Sequence, residues 1–174
     1  IVGNGKLSYD LSAYYYDWTH FQTTTLQQVE GRLAPQYLAD DAGKAHTFGA
    51  EAGFRYSPVR SFSLFGNYSY IDGKFNAEDE NGNPQEYAGN RFRLTPKHTF
   101  SAGIDVDVPV SKRANVYFRP SYSYKSQVYF EDSNREDLSQ PGYGLVNFTA
   151  GVRVSARNFY YEIGSFGKNV FDKK

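Results

Sequence analysis

Apolar and polar residues alternate with a period of two along most of this chain, most regularly between residues 97 and 154. Successive side chains of a β-strand point to opposite faces, so such a strand has one apolar face and one polar face. An α-helix, with about 3.6 residues per turn, would scatter the carboxylates of Asp105 and Asp107 into its apolar stripe. The alternation therefore predicts strands with charged residues on one face and aromatic or aliphatic residues on the other.

The connections between the predicted strands are alternately short and long, which is typical of the wall of a bacterial transmembrane β-barrel. Short turns are predicted at 57–61, 109–115 and 155–158, and these would face the periplasm. Long polar loops are predicted at 22–45, 73–96 and 131–143, and these would face outward. The predicted strands are seven: 5–25, 46–56, 62–72, 97–108, 116–125, 146–154 and 159–167.

The odd number of predicted strands bears on what the chain can be. Bacterial single-chain barrels close with an even number of antiparallel strands, because an open strand edge in lipid leaves backbone groups unpaired at several kcal/mol each. Seven strands therefore predict either that one strand is unrecognised or that the chain is a piece of a larger wall. The chain begins at Ile1, without an initiator Met or an apolar signal segment, so we expect a mature or partial chain.

The composition favours a membrane barrel and excludes several kinds of site. Aromatic residues make up 18% of the 174 residues, yet the mean hydropathy is -0.64, a combination that suits a barrel with aromatic girdles and a wet interior. No run approaches the ~18 apolar residues of a membrane helix. Lys plus Arg and Asp plus Glu are 19 each, so a nucleic-acid partner has no electrostatic support. Without cysteine, disulfides, thiolate metal sites and cysteine nucleophiles are excluded.

Four segments resemble TonB-dependent outer-membrane receptors. Residues 167–174, Gly-Lys-Asn-Val-Phe-Asp-Lys-Lys, look like the Asn-(aliphatic)-(Phe or Thr)-Asp-Lys box just before the final strand of that family. Residues 14–22, 49–58 and 93–99 are similar to family segments in the expected order. The resemblance implies a receptor with an N-terminal plug inside a barrel of about 22 strands. Residues 1–174 would be the C-terminal portion of that barrel, without the plug, the TonB-contacting segment or the closing strand.

The resemblance also implies a function. Such a receptor sits in the bacterial outer membrane and takes up a scarce nutrient, foremost a ferric siderophore, with cobalamin or saccharides as further ligands, and TonB supplies the energy. The implied partners are outer-membrane lipid, the plug and remaining barrel strands of the same receptor, TonB through the absent N-terminal region, and the small-molecule ligand. No bond chemistry is expected, so we predict neither an enzyme nor a cofactor.

Two sets of residues are candidates for function. Arg binds anionic oxygens bidentately and aromatic rings cover flat ligand faces, so we predict ligand contacts at the outer end of one strand, from Tyr87, Arg91, Phe92 and Arg93. On the inward face we predict a wall in contact with water. Its charges of both signs would form cross-strand pairs and hold a plug. Its members are Asp10, Glu51, Arg55, Asp105, Asp107, Arg119, Lys125, Arg153 and Glu162.

Other motifs favour plainer interpretations. Asp79, Asn81 and Asn83 have the spacing of calcium-loop ligands, but Pro84 and Asn90 occupy the positions of the required Gly and Glu, so a flexible turn is predicted. The aromatic cluster 14–18 with Phe21 is expected at the membrane boundary. No catalytic or metal-binding motif occurs, and the three histidines are expected to be boundary or wall residues: His20, His46 and His98.

Three alternatives remain open. A small eight-stranded outer-membrane barrel with a structural or adhesive role would need an eighth strand. An outer-membrane enzyme would need acid and base groups clustered near the barrel rim. A soluble β-sandwich would have to bury the Tyr and Phe of the outward face, whereas a membrane wall predicts one convex, uncovered side that carries Phe100, Ile104, Phe118, Tyr122, Phe148 and Val152.

Overall fold

The computed structural model describes residues 6–173, and for residues 25–27, 37 and 40 it describes the backbone alone. Within this part of the chain, seven strands form one antiparallel sheet, and four shorter strands form two small two-stranded sheets. No helix in the described part is long and apolar enough to cross a membrane. The main sheet consists, in order across it, of β1 (Leu7–Trp18), β4 (Ala45–Val59), β5 (Phe62–Phe75), β6 (His98–Ser111), β7 (Ala114–Lys125), β10 (Tyr143–Ala156) and β11 (Phe159–Gly167).

The strands of the main sheet are joined alternately by two-residue turns and by long segments. The turns are residues 60–61, 112–113 and 157–158, and they all lie at one end, the short-turn end. Residues 19–44, 76–97 and 126–142 connect strands at the opposite end, the long-loop end. The predicted seven-stranded antiparallel sheet is therefore confirmed.

Two parts of the sequence prediction are wrong. The first strand ends at Trp18 rather than at residue 25, and the stretch 22–45 is not a plain loop, because it contains the paired strands β2 (Gln22–Gln27) and β3 (Gln36–Asp41). The hairpin has no apolar alternation because it packs against other long segments rather than against an apolar layer. Thr23 binds Asp132, and the carbonyl of Thr24 accepts a hydrogen bond from Arg93. The third long segment also contains β8 (Val128–Tyr129), a 3-10 helix (Glu136–Leu138) and β9 (Ser139–Gln140).

One face of the main sheet is apolar and uncovered. The register pairs Tyr68 with Phe100 and Val152 with Ile163 on this face. Ile163 is 79% exposed, and among the described residues the only buried hydrophobic side chains are those of Ala45, Phe75, Tyr117 and Val128. A β-sandwich would have to cover this face with a second layer. The register places all six residues that were predicted to share it on this face: Phe100, Ile104, Phe118, Tyr122, Phe148 and Val152.

Glycines opposite aromatic residues hold neighbouring strands in register. Tyr117 pairs with Gly151, and its hydroxyl lies 2.5 Å from the position that a Cβ of Gly151 would occupy. Phe65 pairs with Gly103 in the same way, with its ring 2.5 Å from the Cβ position. Each ring thus covers a neighbouring strand where that strand lacks a side chain, an arrangement that disfavours a shifted register.

Candidate functional site

The second face of the main sheet carries the charged residues. The register pairs Arg153 with Glu162 and Asp107 with Tyr117, and it places Lys125 opposite Tyr143 on the same face. All nine charged residues predicted to line an inward wall lie on this charged face. They are Asp10, Glu51, Arg55, Asp105, Asp107, Arg119, Lys125, Arg153 and Glu162.

The charged residues nearest the short-turn end neutralise one another across strands. Arg119 Nε lies 2.9 Å from Asp105 Oδ1. Arg153 reaches two carboxylates, with Nη1 2.5 Å from Asp107 Oδ2 and Nε 3.4 Å from Glu162 Oε2. Hydrogen bonds between these charged groups fix the wall surface, in which three carboxylates share two guanidiniums. The group has the mixed signs of a structural wall rather than an isolated acid or base.

Tyr117 forms the centre of this group. Two guanidiniums lie over its ring, with Arg119 Cζ 5.1 Å and Arg153 Cζ 4.6 Å from the ring centroid. Both distances are within the range of cation–π attraction. The side chain is only 4% exposed, although it lies on the charged face. The sequence pattern placed Tyr117 on the polar face but did not single it out.

Three neighbouring rings, those of Tyr14, Tyr16 and Trp18, form an aromatic stair on the charged face of β1. Tyr14 and Tyr16 have ring centroids 5.3 Å apart, and Tyr16 and Trp18 are 5.6 Å apart. The register puts Tyr14 opposite Gly49 on the charged face, whereas Tyr15 lies opposite Phe48 on the apolar face. The alternation in the sequence assigns Tyr14 and Tyr16 to the face opposite Tyr15, and the register agrees. The position of the aromatic cluster at the membrane boundary stays a prediction.

The aromatic stair continues into a small core among the long segments. Phe21 and Phe92 stack with centroids 4.5 Å apart, and Phe75, which is 1% exposed, meets both edge-on. The ring of Tyr87 also packs on Phe75, with centroids 5.6 Å apart. Two of the four candidate ligand contacts, Tyr87 and Phe92, are thus part of this loop core.

The other two candidates, Arg91 and Arg93, bind protein atoms. Arg91 Nη2 donates to the carbonyl oxygens of Thr95 and Gln127, each at 3.3 Å. Arg93 Nη2 donates to Thr24 Oγ1 at 2.6 Å and Nη1 to the Thr24 carbonyl at 3.2 Å. The structure therefore brings all four candidates together at the long-loop end, and their contact with a ligand stays a prediction.

Asp132 connects these segments, and sequence reasoning missed it. Its side chain is 7% exposed. Oδ2 accepts a hydrogen bond from Thr23 Oγ1 at 2.6 Å, and Oδ1 accepts one from the Arg93 backbone N–H at 3.1 Å. Because Thr23 and Asp132 are 109 residues apart, no local pattern could have shown that they meet.

Exposed polar side chains close the outer parts of the long segments. His20 Nδ1 lies 2.7 Å from Asp41 Oδ2, and this hydrogen bond, with the charge of Asp41, raises the pKa of His20. The pKa of Asp41 is lowered by the Gly43 N–H and then by His20. Asp79 closes the predicted 79–83 turn, because it accepts hydrogen bonds from the Asn83 side chain and backbone, which lower its pKa.

Comparison with solved structures shows a shared fold. BauA, the ferric preacinetobactin receptor from Acinetobacter baumannii, is 21% identical with a TM-score of 0.72, over 99% of this chain and 24% of that one. FyuA, the ferric yersiniabactin uptake receptor from Yersinia pestis, is 18% identical with a TM-score of 0.76, over 97% of this chain and 23% of that one. The chain thus spans about a quarter of the structures it matches, as a fragment of a larger barrel would.

Comparison of the sequence with curated proteins gives no match. The family described as TonB dependent receptor-like, beta-barrel, matches residues 2–170, which is almost the whole chain. This match agrees with the sheet, its uncovered apolar face and its charged opposite face. The chain belongs to the TonB-dependent receptor β-barrel family.

Proposed function

We propose that this chain is part of the barrel of an outer-membrane receptor that imports a ferric siderophore with energy supplied through TonB. The observation that carries the proposal is the sheet itself, which is apolar on one face, charged on the other and matched by the receptor family over residues 2–170. The solved structures that share its fold include receptors for ferric preacinetobactin and ferric yersiniabactin. The family consists of receptors and transporters rather than enzymes.

In the proposed receptor the two faces have different partners. The apolar face meets the hydrocarbon of the outer membrane, because exposed aliphatic and aromatic side chains such as Leu11 and Ile163 (74% and 79% exposed) are stable there. The charged face lines the lumen and contacts a plug domain. The plug, the remaining strands and the TonB-contacting segment belong to other parts of the same receptor, and residues 1–174 form the C-terminal portion of its barrel.

In this proposal the ligand binds at the long-loop end of the charged face. Tyr87, Arg91, Phe92 and Arg93 lie there and remain the predicted contacts. The aromatic stair adds the ring of Tyr16, which is 54% exposed and therefore available to a flat chelating group. The short-turn end is a poorer candidate, because carboxylates of the wall pair with the charges of Arg119 and Arg153, whereas the Arg91 guanidinium donates to uncharged carbonyl oxygens.

Uptake of iron tests the proposed transport. The complete receptor would be expressed in an outer-membrane receptor-deficient bacterial strain, in tonB-positive and tonB-deleted forms. A panel of ⁵⁵Fe-labelled catecholate, phenolate and hydroxamate siderophores would then be supplied. We expect at least one complex to accumulate in the tonB-positive cells alone. Equal accumulation in both strains, or accumulation of none of the complexes, would contradict the proposal.

A matched pair of variants tests the position of the ligand. Tyr16→Ala removes a ring from the charged face, whereas Tyr15→Ala removes a ring from the apolar face one residue away. Loss of one ring contact is worth about 0.5–1.5 kcal/mol, so Tyr16→Ala should weaken binding of the accepted ferric siderophore about threefold to tenfold. Tyr15→Ala should leave binding unchanged. Equal effects of the two variants would place the ligand elsewhere.

A further inference from the structure

We propose that Asp132 is a positioning residue, which locks the three long segments into a single unit and thereby holds the candidate ligand-contacting segment in place. The inference deepens the proposed function, because the segment that it fixes contains Arg91 and Arg93. The three long segments connect different pairs of strands, so nothing in the sheet requires them to move together.

Asp132 binds both of the other long segments through one buried carboxylate. Oδ2 accepts a hydrogen bond from the hydroxyl of Thr23, in the first segment, with an O–O distance of 2.6 Å. Oδ1 accepts a hydrogen bond from the backbone N–H of Arg93, in the second segment, at 3.1 Å, and Arg93 Nε lies 3.9 Å from Oδ2. Because the side chain is 7% exposed, water cannot readily replace these partners, and the carboxylate is stable only where both segments supply them.

Arg93 completes the connection between the first and second segments. Its guanidinium donates to Thr24 Oγ1 and to the Thr24 carbonyl at 2.6 and 3.2 Å. The same residue therefore contacts the first segment through its side chain and the third through its backbone. Asp132 thus contacts Thr23 and Arg93, and Arg93 contacts Thr24, the neighbour of Thr23, so the three segments are joined pairwise.

Asn134 ties the second segment to the third at another point. Its side-chain oxygen accepts the N–H of Arg91 and its amide donates to the carbonyl of Arg91, both at 2.7 Å. The Asn134 backbone has φ 53°, a left-handed conformation that asparagine tolerates better than most residues. In addition, Asn90 Nδ2 donates to the Asp132 carbonyl at 2.8 Å. The second segment is therefore held against the third from Asn90 to Arg93.

The consequence is a unit that opens as a whole or not at all. If the loops separate, the buried carboxylate of Asp132 loses its hydrogen-bond donors. If Asp132 is replaced by alanine, the Thr23 hydroxyl and the Arg93 backbone N–H lose their acceptor. Local opening, which is usually confined to one loop, would then spread across loops that are far apart in sequence. Any ligand that relies on Arg91 or Arg93 would lose its ordered partner when Asp132 is replaced.

Hydrogen–deuterium exchange of the complete receptor in detergent tests this without any ligand. Asp132→Ala should speed amide exchange about tenfold in peptides from all three segments, 36–44, 84–95 and 126–134, while residues 98–111 of the sheet keep their protection. Thr23→Val, which removes only the hydroxyl, should act in the same direction, and Thr23→Ser should restore protection. Asp137→Asn is the matched control, because Asp137 pairs only with the nearby Arg135 among described residues.

Three results would overturn the proposal: faster exchange confined to residues 126–142, an equal effect of Asp137→Asn, or loss of protection throughout the sheet. Binding of the accepted ferric siderophore supplies the second measurement. Asp132→Asn should weaken it about tenfold, and unchanged affinity would refute the positioning role. If no siderophore binds the unaltered receptor, the proposed function fails while the exchange result still decides whether the loops are locked.

Discussion

Replacement of Gly151 by alanine should push β10 away from β11 and destabilise the sheet. Gly151 lies in β10, where an added Cβ would be 2.5 Å from the Ile163 carbonyl oxygen in β11 and 2.5 Å from the Tyr117 hydroxyl in β7. A backbone oxygen cannot rotate away, so β10 and β11 must move apart. Overpacking of this kind costs about 1–3 kcal/mol.

Gly103 is the matched control in the same sheet. A Cβ there would lie 2.5 Å from the Phe65 ring, but it meets no backbone atom among its nearest neighbours. Tilting one ring off its preferred rotamer costs about 0.5–1.5 kcal/mol. Substitution of glycine by alanine also recovers about 0.4–1 kcal/mol from the unfolded chain. The net effect of Gly103→Ala is therefore close to zero, and Gly151→Ala should be the more destabilising by about 1–2 kcal/mol.

Urea unfolding of the folded receptor in detergent micelles, followed by the mobility shift between folded and unfolded forms on electrophoresis, measures this difference. The same comparison in a Tyr117→Ala background isolates the backbone clash, because the hydroxyl contact is gone and the Ile163 oxygen remains. Gly151→Ala should still destabilise in that background. Equal unfolding midpoints for the Gly151 and Gly103 variants would refute the argument.

Three further predictions concern the two faces and the loops. Phe118→Arg on the apolar face should destabilise the receptor in lipid by about 2–4 kcal/mol, whereas Ser121→Arg on the charged face should cost little, as measured by urea unfolding in vesicles; equal costs would contradict the assignment of the faces. Arg153→Ala should lower the urea midpoint of unfolding, since it leaves two partly exposed carboxylates without their guanidinium. An unchanged midpoint would show that water replaces the guanidinium. Folding raises the pKa of His20. The contribution of His20 to the free energy of unfolding should therefore be full below the usual histidine pKa of about 6.5, and it should be lost as the pH rises through the folded-state pKa. The stability difference from a His20→Asn variant should therefore shrink at alkaline pH, and a constant difference would contradict this linkage.

Much of the sheet follows from sequence because its determinants are local. Period-two alternation assigns Phe100 and Asp105 to opposite faces whatever their neighbours are. The last strand, Phe159–Gly167, has the predicted bounds, and the faces of all seven strands follow from the same rule. Strand ends were less accurate, because β6 and β7 continue their pairing to Ser111 and Ala114, within the predicted turn.

The aromatic residues show where local rules are insufficient. Alternation puts Tyr14 and Tyr16 on the face opposite Tyr15, but it does not show that Tyr16 meets Trp18 or that Trp18 meets Phe21 and Phe92. The candidate contacts Arg91 and Arg93 were found by their chemistry. Their partners in the structure include carbonyl oxygens and Asp132. No sequence pattern shows that the loops carrying these partners meet.

The amino-acid sequence by itself determined the strands, their two faces and the alternation of short and long connections, because each depends on residues close together in the chain. Only the tertiary structure decided which long segments meet, that the stretch 22–45 contains a hairpin, and that Asp132 lies buried between Thr23 and Arg93. The physical reason is distance along the chain. A contact across 109 residues exists only once the sheet has brought the ends of its strands to the same side.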